Sequence, residues 1–216
     1  MFKTASFLAI ILSFTACGGG SASDAYKYAN DLQTQNSSTS SQNSNNMQAQ
    51  SVVVDIPQIS ESEKTEFLDA INSARAETQD CGVYGVFPPV KPLTWSDSLY
   101  KAAYEHTRDM AVNGVVEHDG TNSSSDTTAK SLNLGRGSYF YERAKYNGYT
   151  DYQLVEENVA GGTYFNSAQD AVDAWLDSDG HCANLMNKDI KDVGMAHVKE
   201  GTKYTNYWSQ EFGVKH

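Results

Sequence analysis

The chain has 216 residues and a formal net charge of −11. That acidity disfavours nucleic acid and direct electrostatic attraction to anionic lipid, and it suits solubility at a crowded surface. The length leaves room for one domain of ordinary size plus an extension.

Residues 1–16, MFKTASFLAIILSFTA, read as an export signal: Lys3 is the positive start and Phe7 to Phe14 the apolar core. A membrane span needs roughly 20 apolar residues, so this run is too short to cross a bilayer. It leads into Phe14-Thr15-Ala16-Cys17, which resembles the lipobox of bacterial lipoproteins, with Phe14 where Leu is usual. The resemblance implies cleavage before Cys17, acyl chains on that residue, and a membrane as partner through the anchor. Two or more chains, at ~0.8 kcal/mol per buried methylene, hold a protein stably. A plain secretory signal with an incidental cysteine is the alternative. Gly18, not Asp, follows the cysteine, which by the same resemblance points to the outer membrane, with the domain outside the cytoplasm. Losing residues 1–16 removes Lys3 and no acid, so the charge moves from −11 to −12.

Residues 17–59 hold that cysteine and a flexible tether. From 36 to 51 every residue except Met47 and Ala49 is Ser, Thr, Asn or Gln. Such a stretch buries too little apolar surface to offset the entropy of ordering it. As a flexible coil the whole tether, about 42 residues, has an r.m.s. reach of roughly 35 Å. VVVDI at 52–56 is either a short strand or an apolar arm docked on the domain.

The folded domain is expected over 60–216. Ser60 with Glu63 makes a capping-box pattern, opening a helix with Phe67, Leu68, Ile71 and Ala74 on one face. Cys81 to Pro92, with three prolines, predicts a loop. Ser96 then caps a second helix whose face carries Leu99, Ala102, Ala103, His106 and Met110, and Asn113-Gly114 ends it. Residues 119–138, rich in Ser, Thr, Asn and Gly, predict an exposed loop. YERAKYNG is a short helix candidate, and VEENVAGG at 155–162 a candidate strand. Ala168, Ala171, Val172, Trp175 and Leu176 form a further helical stripe, which Gly180 is expected to stop. Tyr204, Asn206, Trp208, Gln210 and Phe212 share one face by alternation, so 193–199 and 204–213 predict an antiparallel hairpin turning at Glu200-Gly201. Helices around a small antiparallel sheet make the fold class α+β.

With Cys17 lipidated, Cys81 and Cys182 are left. Export places them in an oxidising compartment, and one intramolecular pairing is then open to them. Two free thiols are the alternative. His118, Glu157 and His181 fall in expected loops or at element ends, where functional polar residues concentrate. Two imidazoles and a carboxylate can ligate zinc or a similar divalent metal, or a His and a Glu can form an acid–base pair. Solvated surface side chains are the plainer reading. His106 reads as a hydrogen-bonded core histidine, His197 as a strand residue facing solvent, and His216 is terminal. Asn184 and Asn187 are candidate loop organisers.

FLDAINSARAE, PLTWSDSLYKAAYEHTRDMA, EHDG, ERAKYNGY, EENVAGG, AVDAWLDSDGHCANLMN, DVGMAHV and YWSQEFG occur in an order that resembles the CAP superfamily (cysteine-rich secretory proteins, antigen five, pathogenesis-related proteins; the SCP domain), in its bacterial extracellular branch. The resemblance covers about residues 62–213. It implies an α-β-α sandwich with a central antiparallel sheet, and a cleft of two histidines and two acids. His118 in EHDG and His181 in GHCANLMN match the histidines. Glu157 matches the glutamate of the usual GEN motif, with Glu156 in place of its glycine. Asp119, Asp126 and Glu142 are candidates for the other acid. A cysteine in the first loop together with His-Cys at 181–182 resembles a bridged subgroup, which supports Cys81 with Cys182. The family implies a surface-tethered binding module for a lipid, cell-wall or protein ligand. The alternative is a metal-assisted, peptidase-like hydrolase in which His118 and His181 hold the ion and Glu157 orients water.

Overall fold

The computed structural model describes residues 55–199 and 201–216. The export signal, the lipobox at Cys17, the tether up to residue 54, most of the VVVDI arm and Glu200 of the expected turn lie outside the described residues.

Helix α1 (Glu61–Arg75) begins at Ser60, whose side chain accepts from Glu63 N at 3.2 Å. The Cys81 loop carries a two-residue ladder of β1 (Gln79–Asp80) with β2 (Val86–Phe87), around a 3₁₀ turn at Gly82–Tyr84. Strand β3 (Thr94–Trp95) precedes α2 (Asp97–Asn113), capped by Ser96 and closed by Gly114 at a φ of 68°. Next come α3 (Thr127–Leu132), α4 (Phe140–Tyr146), β4 (Tyr152–Gly162), α5 (Ala168–Leu176), α6 (Asp179–Leu185), β5 (Asp192–Lys199) and β6 (Asn206–Lys215).

The main sheet has the order β3-β5-β6-β4. β4, β5 and β6 are antiparallel, and the short β3 runs parallel to β5. Both faces are covered, so the sheet is the middle layer of an α-β-α sandwich, and β6 is buried from Asn206 to Val214. On one face Trp208 and Phe212 pack with Phe67 and Ile71 of α1 and Val172 and Trp175 of α5. On the other, Tyr207 packs with Met110 and Ala111 of α2, and Val155 with Leu99 and Ala144. This is the period-2 alternation expected of a strand covered on both sides. Gly194 lets α2 approach β5, since a Cβ there would overlap the backbone at Leu99 and Tyr100.

Three expectations are corrected. Residues 119–138 are not an exposed loop: they include α3, and Ser125 to Ala129 and Ser138 are buried. Asp126 accepts from the N–H groups of Asn122, Ala129 and Ser138, and Asp109 of α2 accepts from Thr121 and Ser123. A polar segment can be buried when its groups satisfy one another. Gly180 does not stop α5, which ends at the cap Asp177; it lies inside α6. His197 does not simply face solvent: its ring stacks on Trp208 with centroids 3.7 Å apart, and its Nε2 bonds Asn206 Oδ1 at 2.8 Å.

Candidate functional site

His118 follows the end of α2, Glu157 stands in the middle of β4, and His181 is in the first turn of α6. His118 in a loop and His181 at an element end are placed as expected; Glu157, inside a strand, is not. Two carboxamides fix α6 against β4. Asn184 Nδ2 donates to Glu157 O and Asn158 Oδ1, both at 3.2 Å, while Asn158 Nδ2 donates to His181 O at 3.1 Å. Asn187 Nδ2 donates to Glu156 Oε1 at 2.9 Å. Asn184 and Asn187 thus organise a helix and its exit against a strand.

The three expected site residues come together at β4, an edge strand of the sheet. His118 Nδ1 donates to Glu157 Oε1 at 2.8 Å, and the His118 and His181 rings lie 6.1 Å apart. The other carboxylate oxygen of Glu157 accepts from Arg143 Nη2 at 2.6 Å. Arg143 also donates to His118 O at 2.9 Å and to Ser138 O at 2.7 Å. His106 Nε2 donates to Glu117 O at 2.8 Å and stands 3.8 Å from Glu157 Oε2. His106 is a hydrogen-bonded core histidine that also borders the cleft carboxylate.

The electrostatics follow from this packing. Burial alone would raise the Glu157 pKa, but Arg143, His106 and His118 together hold it well below the usual carboxylate range. Burial pulls His118 down, yet its bond to ionised Glu157 leaves it raised. His181 is lowered to about 4, first by burial and then by the nearby charge of His118. His106 is lowered to about 4, first by burial and then by Arg143. His181 is therefore neutral at neutral pH, while Glu157 favours the charged form of His118 more than water does. The Nδ1 of His118 is committed to Glu157, which leaves Nε2 to meet a ligand.

None of the acids Asp119, Asp126 and Glu142 joins Glu157 in a shared pair. Asp119 is exposed beside His118, Asp126 caps α3, and Glu142 forms a two-bond pair with Arg136 at 2.7 and 2.8 Å. The second carboxylate near Glu157 is Glu211, its partner in register on β6, fully buried and 3.9 Å from Arg143 Nε. Burial, then the charge of Glu157, raises Glu211 well above the usual range. Arg143 and Glu211 escaped the sequence reading. Each falls inside a segment that reads as a structural element, and only the folded arrangement of α4, β4 and β6 brings them under the cleft.

Among the described residues, no group of three or more His, Cys, Asp or Glu side chains is placed to hold a metal ion. On a tetrahedral zinc, Zn–N bonds of about 2.0–2.1 Å put two imidazole centres about 5 Å apart, so the His118 and His181 rings, 6.1 Å apart, would have to close by about 1 Å to share an ion. Glu157 then acts behind His118, orienting it, and is not itself a ligand.

Cys81 and Cys182 form a disulfide with Cα atoms 5.3 Å apart. Among the described residues no helix is long and apolar enough to cross a membrane.

The model of the family described as "Cysteine-rich secretory protein family" (CAP) matches residues 68–212. The chain is 26% identical over 124 residues to the uncharacterized protein YkwD of Bacillus subtilis (strain 168), a match covering 57% of this chain and 40% of that protein. Among solved structures, it resembles an extracellular protein containing a SCP domain from Bacillus anthracis str. Ames, with a TM-score of 0.50 and 20% identity, over 74% of this chain and 45% of that one. It also resembles an outer surface protein from Borrelia burgdorferi, with a TM-score of 0.51 and 20% identity, over 72% of this chain and 95% of that one. The matches to the two Bacillus proteins thus span less than half of their lengths, and at these identities the two structures show a common fold.

Proposed function

The chain belongs to the cysteine-rich secretory protein (CAP) family, and from that membership we propose that it is an extracellular binding module held at a bacterial surface, its cleft of His118, Glu157 and His181 taking a lipid, cell-wall or protein ligand. The observation that carries this reading is the engagement of Glu157. One of its oxygens is taken by His118 and the other by Arg143. A general base needs an available lone pair directed at its proton, and Glu157 is instead spent on orienting an imidazole. What remains in the cleft is a pair of imidazoles, a recognition surface rather than a complete catalytic set.

A second reading, metal-assisted hydrolysis, draws support from the two imidazoles lying in one cleft, which a closure of about 1 Å would bring to the spacing of a shared ion. His118 and His181 would supply two nitrogen ligands, and a bound ion would polarise a carbonyl or activate water. The two readings separate by experiment. Binding of a fluorescent fatty acid, of purified cell-wall sacculi and of surface-protein extract is measured for the wild type and for His118→Ala with His181→Ala. Zinc uptake and peptide hydrolysis are followed in parallel. The binding reading expects one ligand whose affinity falls at least tenfold, about 1.4 kcal/mol, in the double variant, with hydrolysis at background throughout. Hydrolysis that needs both histidines and zinc would replace it with the second reading.

A further inference from the structure

A cavity of about 280 Å³ lies between the Cys81 loop and α6, and His118, Glu157 and His181 are not among its lining residues. We propose that this cavity is a ligand site of its own, for a small apolar molecule that ends in an amine and is held there by the carboxylate of Glu156. The proposal does not depend on what the histidine cleft binds.

The walls are apolar. Tyr84, Phe87 and Val90 come from the loop, and Ala183 and Met186 from α6 and its end. The volume sits at the lower edge of the range for ligand sites, about 300 Å³, which suits a short chain or a single ring. The same loop exposes apolar side chains: Val83 is 86% exposed, Val86 65% and Tyr84, which lines the cavity, 43%. Exposed apolar side chains close together on one loop mark a contact surface more than scattered ones do. The loop is held to α6 by the Cys81–Cys182 bridge and by Val83 N–H, which donates to Asp179 Oδ2 at 3.0 Å. The cavity is therefore fixed before a ligand arrives, which lowers the ordering cost of binding.

Glu156 supplies the polar end. It is 6% exposed, lines the cavity, and occupies the strand position where the family pattern has glycine. Its Oε1 accepts from Asn187, and its buried Oε2 has no hydrogen-bond partner. A buried oxygen without a donor is uncommon and calls for one. Arg75, the cation nearest in effect, does not supply it, because its N–H groups donate to the carbonyls of Lys91, Leu185 and Asn187. Rotation about the terminal bond of Glu156, where torsion is soft, offers either oxygen to an incoming head group while Asn187 holds the other. An ammonium brings the missing donors and the opposite charge. A carboxylate would meet Lys188 on the lining but would set a second negative charge against Glu156.

The test uses the purified full chain with methyl-labelled methionine, titrated at pH 8 with hexylamine, hexanol and hexanoate. Hexylamine is expected to shift the Met186 methyl signal saturably, leave the His118 and His181 ring signals in place, and bind at least tenfold more tightly than hexanoate. Glu156→Gln, nearly the same shape, should cut hexylamine affinity at least tenfold. Ala183→Phe, which fills the cavity, should abolish the Met186 response to hexylamine and hexanol alike, with thermal melting checking that each variant is folded. Equal affinities for hexylamine and hexanoate, full hexylamine affinity in Glu156→Gln, or shifts confined to the histidine cleft would each overturn the proposal.

Discussion

Glu156 and Glu157 are neighbours in sequence but stand on opposite faces of β4, and burial acts on both while their partners differ. Burial lifts Glu156 to about 7, Asn187 and Arg75 opposing and Asp189 adding to the rise. Glu157 is held down by Arg143, His106 and His118 against the same burial. The consequences for stability have opposite signs. The folded chain keeps the Glu156 proton to higher pH than the unfolded chain does, so its contribution to stability falls as pH rises from about 4.3 to about 7. Replacing Glu156 with Gln should therefore stabilise the fold at pH 8 by on the order of 3 kcal/mol, and much less at pH 4. Urea denaturation of both proteins at the two pH values checks this; an equal difference at both would contradict it. Glu157 behaves in reverse: its stabilisation is present at neutral pH and is lost as acid protonates it. Glu157→Gln should destabilise at pH 7, by roughly 3–5 kcal/mol as for other broken buried pairs, because Arg143 is left with an unmatched charge.

Among the elements, α6 depends most on a covalent link. It is a seven-residue helix, joined through Cys182 to a cysteine 101 positions earlier. On the chain-entropy model, closing a loop of about 100 residues stabilises by ~4.7 kcal/mol. The double change Cys81→Ser with Cys182→Ser should lower stability by up to about that amount. Hydrogen exchange should show α6 and the β1–β2 loop losing protection while β6 keeps its own; uniform loss across the sheet would show that the bridge supports the whole fold. The long elements were legible in the sequence because their patterns are strong. Ser60 and Ser96 mark the starts of α1 and α2, and alternation from Asn206 to Phe212 marks β6. The segment from 119 to 138 was not legible. Composition tells how polar a residue is but not whether Asp109 and Asp126 will be there to bind it, and those contacts are what bury it. Gly180 misled for a related reason: a helix tolerates glycine at a cost of about 1 kcal/mol, and the disulfide and the Asn184 clamp hold α6 regardless.

At the scale of the whole molecule, His118, Glu157 and His181 come from a loop, a strand and a helix far apart in sequence, and no spacing rule brings them together. What made them legible was the order of eight family motifs; Arg143 and Glu211, which set their charge states, were not legible as members of the site. Surface attachment can be tested at this scale too. With the anchor on Cys17, labelled palmitate should enter the wild-type chain and be absent from Cys17→Ala, which should leave the membrane fraction; label retained in the variant would reject the anchor. The chain enters the domain at Pro57, whose carbonyl accepts from Tyr100 Oη at 3.0 Å, with Ile56 and Ile59 packed against the cluster of Tyr100, Ala103 and Ala196. That entry lies at the β3 side of the sheet, while His118 and Glu156 lie at the β4 side, across a sheet of four strands spaced about 4.8 Å. Any attachment made through the residues ahead of Pro57 therefore meets the domain on the flank away from both sites, so the point of entry covers neither of them.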